Sequence, residues 1–115
     1  MEKEGLLAMG IDYDDAMKRF MNNEDMYLSF LHRFKDDKSY QLMREALDRG
    51  HIQDAFEAAH TLKGVAGNLS LKRLYDRVCL LVEDLRVNDT SHIDDLLPPI
   101  IDEYTAIINM LKGLS

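Results

Sequence analysis

Apolar residues recur at spacings of three and four along almost the whole chain, and no segment alternates with period two for long. That pattern predicts helices throughout. Residues 14–21 bring Ala16, Met17, Phe20 and Met21 into helical register behind Asp12 or Asp14, either of which suits an N-cap. Asn22-Asn23 interrupts the register, and Asn23 stands ready to cap a second segment bearing Tyr27, Phe30, Leu31 and Phe34. Lys35-Asp36-Asp37-Lys38 reads as a solvated connection. From about Ser39 a shorter helix turns Leu42, Met43, Ala46 and Leu47 inward, and Gly50 occupies the place of a left-handed C-terminal cap.

A helix then spans about Ile52 to Leu69, and another spans about Leu71 to Leu85 with Leu74, Val78, Leu81, Val82 and Leu85 on its core stripe. Asn88 to Ser91 is turn-like. Pro98-Pro99 should kink or restart the last helix, because proline lacks the backbone donor and crowds the preceding turn. Beyond it Ile100, Ile101, Tyr104, Ile107, Ile108 and Leu111 form a strong apolar stripe. With short connections, neighbouring helices should lie antiparallel. The expected fold is an all-α, up-and-down antiparallel four-helix bundle with an additional short N-terminal helical segment. It forms one domain over 1–115, with 1–11 as a lead-in and 12–112 as the helical part.

The stretch 59-AHTLKGVAGNLS-70 stands out within this pattern, since each interior glycine costs a helix about 1 kcal/mol relative to alanine. Drawn as a wheel, Ile52, Ala55, Ala59, Leu62, Ala66 and Leu69 make the core stripe, and His60 projects about 120° from its middle. Gln53, Phe56, Glu57, Lys63, Gly64 and Gly67 surround His60 on that wheel. Its neighbours at i+3 and i+4 are Lys63 and Gly64. The imidazole thus has a cation on one side and bare backbone on the other, where a second molecule can come close.

Composition narrows the classes of function. A 115-residue chain with 46% hydrophobic residues supports one core. The net charge of −7 leaves no basic stripe for nucleic acid and disfavours an anionic membrane surface. Cys79 is the single cysteine, so no internal disulfide forms, and among Val78, Leu80 and Leu81 it reads as a buried small hydrophobe. No apolar run nears the roughly 20 residues of a membrane span, and the N-terminus lacks an apolar signal core. The expected compartment is the cytoplasm.

AHTLKGVAGNLSLKRL resembles the signature of histidine-containing phosphotransfer (HPt) domains, a histidine followed by Lys-Gly three and four residues on. His60, Lys63 and Gly64 match those positions, Asn68-Leu69 matches a common continuation, and GIDYDDAMKRFMNNEDMYLSFLHRF resembles the family's opening helices. One position departs: the family often has glycine after Asn-Leu, and this chain has Ser70, expected to act as N-cap of the helix starting at Leu71.

The resemblance implies a phosphorelay intermediate of two-component signalling. Its N-terminal segments would pack on a four-helix bundle as an additional lid. Its partners would be receiver domains of response regulators or hybrid histidine kinases. His60 would take the phosphoryl group from a receiver phosphoaspartate or return it. Lys63 would stabilise phosphoryl charge, and Gly64, extended by Gly67, would give access. The chain would be a phosphocarrier without its own catalytic pocket or metal, any Mg²⁺ belonging to the receiver, and would work as a monomeric shuttle. Glu57 or Gln53 lies on the right face to bond the second ring nitrogen. Phe56 is a candidate for an apolar docking patch with Met17, Phe20 or residues of the Tyr27–Phe34 helix. The alternative is a helical interaction module that binds or inhibits a receiver or kinase without transfer. His32, His51 and His92 show no zinc-site spacing, and no glycine-rich loop has P-loop spacing.

Overall fold

The computed structural model describes residues 3–113, of which 81% are helical and none is in a strand. The helices are α1 (Lys3–Ala8), α2 (Tyr13–Arg19), α3 (Glu24–Arg33), α4 (Ser39–Arg49), α5 (Ile52–Asn68), α6 (Lys72–Arg86) and α7 (Ile93–Gly113). The caps expected at Asp12, Asn23 and Gly50 form. Asp12 accepts the amide of Asp15 at 3.1 Å, Asn23 accepts that of Met26 at 3.0 Å, and Gly50 closes α4 at φ 71°. Each satisfies backbone groups that the first or last helical turn leaves unpaired.

Helices adjacent in sequence pack on one another from α4 through α7. Tyr40 of α4 also stacks on Tyr104 of α7 at 3.6 Å between ring centroids, so the first and last of these helices meet. Tyr27 of α3 is fully buried, and its hydroxyl donates to the Leu69 carbonyl at 2.7 Å, tying α3 to the end of α5. Burial pushes that phenol's pKa well above its ordinary value. No helix is long and apolar enough to cross a membrane among the described residues.

Several sequence expectations need correction. Residues 34–36 form a 3-10 turn with Phe34 buried, so the connection there is partly internal. Leu42 is 54% exposed, because α5 covers α4 only on the side of Met43 and Ala46. Met21 is 86% exposed and sits at φ 54°, just past the end of α2. Cys79 is half-buried. The lead-in contains a helical turn, and its Leu6 and Ile11 join the core.

Pro98-Pro99 does not restart the last helix, since α7 runs through both. Prolines at these positions forfeit only bonds to Asp94 and Asp95 in the helix's first turn. Ile100 is fully buried directly after them, and the Pro99 carbonyl accepts Arg77 at 3.1 Å.

Ser70 does not cap α6, whose N-cap is Leu71 without a side-chain bond. It occupies the left-handed position that ends α5, at φ 58°. The Ser70 amide donates to Gly67 at 3.2 Å and the Leu71 amide to Ala66 at 2.9 Å, which is the Schellman arrangement. Glycine suits this position because an L side chain there costs about 1–2 kcal/mol. Serine offsets that cost with a long-range bond, its Oγ donating to Asp15 of α2 at 2.7 Å.

Ser70→Ala keeps the strain and loses the bond, so it should lower stability by about 1–2 kcal/mol. Ser70→Gly loses both and should lie close to wild type. Chemical denaturation of the three proteins checks the order, and an alanine variant as stable as wild type would remove the latch.

Candidate functional site

The amphipathic pattern of α5 decides which way its polar side chains point. Ala55, Ala59, Leu62 and Ala66 are fully buried, and His60 is consequently exposed on the far side. Among the described residues no hydrogen bond reaches its imidazole, so both ring nitrogens face solvent or a partner. Neither Glu57 nor Gln53 bonds the ring, although both are exposed on the expected face. The ring's neighbour is Phe56, one turn earlier, with centroids 5.9 Å apart.

Lys63 is half-buried, and no ion pair engages its ammonium among the described residues. Gly64 is exposed, and a Cβ built on it meets nothing within 4 Å. Its missing side chain is therefore not required by internal packing. Gly67 differs. A Cβ there would lie 3.2 Å from the Tyr75 ring, so Gly67 lets α6 pack closely on α5. The two glycines stand in one motif for separate physical reasons.

Beside Lys63 and Gly64 opens a cleft of about 400 Å³, walled by α2, the end of α5 and the start of α6. Asp15 in its wall accepts both Arg19 Nε at 2.8 Å and Ser70 Oγ. Arg19 first, and Ser70 next, hold the Asp15 carboxyl below its ordinary pKa. A depressed carboxyl contributes stability that is full above its unfolded pKa, near 3.9, and is lost as pH falls through the lower folded value. The cleft's α2 wall comes from residues about 50 positions away in sequence, and no local spacing could have announced it.

Of the proposed apolar patch, Met17 and Tyr27 are buried, Phe20 is half-buried and Phe30 is 40% exposed. On the other side of His60, the Arg86 guanidinium lies 5.1 Å from the Phe56 ring centroid and pairs with Glu83 at 3.3 Å. Away from this face, Asp84, Asp89 and His92 converge at the turn between α6 and α7, their ligand atoms within 4.8 Å of one another. The His92 Nδ1 lies within hydrogen-bond distance of Asp84, at 2.9 Å, a contact that ties the turn together.

This site chemistry has an exposed nucleophilic ring, a cation a turn away and open backbone beside them. The family model described as Hpt domain matches residues 26–114, well over half of the chain, including most of α3 and all of α4 to α7. No curated protein and no solved structure matches the chain.

Proposed function

We propose, since the chain belongs to the Hpt domain family, that it is a phosphorelay intermediate whose acceptor is the imidazole of His60. Membership carries the coarser statement: phosphotransfer in two-component signalling, by a phosphocarrier and not a catalyst, with receiver domains as the family's partners. The observation that supports the residue assignment is the exposed, unbonded ring of His60 beside the open face at Gly64.

In the proposed step, Nε2 of neutral imidazole attacks the phosphorus of the receiver's aspartyl phosphate. The N–P bond forms as the O–P bond breaks, and the aspartate carboxylate leaves with the electron pair. Nδ1 retains its proton. Such transfers depend mainly on alignment and charge neutralisation. Lys63, which no carboxylate engages among the described residues, can follow the phosphoryl oxygens. Mg²⁺ is assigned to the receiver, and the carrier is assigned to the cytoplasm as a monomer with a four-helix bundle. Both acyl phosphate and phosphohistidine are high-energy species, so the step runs in either direction.

Incubation with a phosphorylated receiver should place acid-labile, base-stable label on this protein. No uptake from any receiver of its host would overturn the carrier reading. Lys63→Ala should fold normally and slow transfer, or shorten the phosphohistidine lifetime, by about tenfold, the loss of one charge-assisted contact. Unchanged rate and lifetime would remove Lys63 from the mechanism.

A further inference from the structure

The His60 ring must present one nitrogen in line with an incoming phosphorus, yet no hydrogen bond among the described residues orients it. A histidine on a helix has more than one staggered χ1 well and a broad χ2, so an unsupported ring spends much of its time misaligned. Among the described residues the one aromatic contact made by His60 is with Phe56, at 5.9 Å between centroids and 37° between planes. Phe56 is itself held from α6, where Arg86 lies 5.1 Å from its ring centroid. Glu83, three residues earlier on α6, accepts Arg86 Nε at 3.3 Å. These contacts form a row across two helices: Glu83, Arg86, Phe56, His60.

We propose that Phe56 and Arg86 are positioning residues for phosphoryl transfer, with Phe56 limiting the rotation of the His60 imidazole and Arg86 holding Phe56 in place through its ring face. The inference rests on the reading of His60 as acceptor. Neither residue is required to touch the phosphoryl group. A cation over an aromatic face is favoured by the ring quadrupole, and Phe56 is half-buried, so it has a fixed side toward the core and an adjustable one toward solvent. Arg86 decides that adjustable side. Phe56 is therefore more than an apolar member of a docking patch, and Arg86, 26 positions from His60 in sequence, enters the site through the packing of α6 on α5.

The test separates ring alignment from partner docking by using two phosphoryl donors. Phosphoramidate is a small donor that needs no protein interface, and its ammonia leaves as the N–P bond forms. A phosphorylated receiver needs both alignment and docking. Wild type, Phe56→Leu, Arg86→Gln and Arg86→Lys are labelled with each donor, and transfer from the receiver is resolved into kcat and KM. Imidazole χ1 populations are measured by NMR, and circular dichroism confirms folding.

Phe56→Leu and Arg86→Gln should slow labelling by phosphoramidate about threefold to tenfold, the range expected when the ring spreads over its other staggered wells. With the receiver, kcat should fall and KM should hold. Arg86→Lys should restore most of the rate, and the NMR populations of His60 should broaden in the slow variants alone. Exposed Arg86 keeps the test valid if Phe56→Leu folds poorly. Wild-type phosphoramidate rates in folded Arg86→Gln, or a loss confined to KM, would overturn the proposal and assign the pair to docking. Failure of wild type itself to take label on His60 from either donor would instead defeat the acceptor reading.

Discussion

His60→Gln should abolish phosphoryl uptake from a phosphorylated receiver while leaving the fold intact. The glutamine amide is close in length to the ring, but its nitrogen lone pair is delocalised into the carbonyl and does not attack phosphorus. The position is exposed and its ring makes no hydrogen bond among the described residues, so the change in stability should stay within about 0.5 kcal/mol. The other histidines do not substitute for it. His32 is half-buried, His51 lies 3.9 Å from Asp54, and His92 is engaged by Asp84. None has the Lys-Gly pair three and four residues on that flanks His60. The measurement is acid-labile label per molecule, with thermal unfolding as the control. Label retained by the glutamine variant would mean that another residue accepts the phosphoryl group.

Gly64 should separate stability from transfer. A Cβ there meets nothing within 4 Å, so the protein interior has no objection to a side chain. Gly64→Ala should raise stability by about 1 kcal/mol, the ordinary helical difference between these residues. Gly64→Leu should fold equally well, yet lower transfer from the receiver by about 100-fold, because its side chain stands where the partner must approach and misplacement by about 1 Å has that scale of effect. Labelling by phosphoramidate should change far less, since the small donor needs little room. Gly67→Ala is the contrasting variant. Its new methyl group would lie 3.2 Å from the Tyr75 ring, which must give way and offset the helical gain. Equal receiver transfer rates in Gly64→Leu and wild type would end the access argument for this glycine.

The contrast between these glycines shows how far local spacing reaches. On a helical wheel Gly64 and Gly67 lie on the same side of α5, and both read as openings around His60. Only the position of α6 distinguishes them, because the Tyr75 ring covers Gly67 and leaves Gly64 bare. Ser70 carries the same lesson. A serine just before a helix is a natural N-cap, and nothing nearby in sequence says otherwise. Its backbone instead takes the left-handed conformation that ends α5, and its hydroxyl finds Asp15, 55 residues away.

Periodicity by itself determined α2 to α6 and the part of α7 after the prolines, most of the core stripe and the outward direction of His60. Those properties follow from interactions within one or two turns, where neighbours at i+3 and i+4 are set by the helix. Asp12, Asn23 and Gly50 were legible for the same reason, since caps act on adjacent backbone groups. Tertiary structure decided which apolar residues stay uncovered, such as Leu42 beside buried Met43. It also placed α2 along the cleft next to Lys63 and set Arg86 against Phe56. Such contacts depend on which helix faces pack together, and the 3.6-residue period records a face without recording its neighbour.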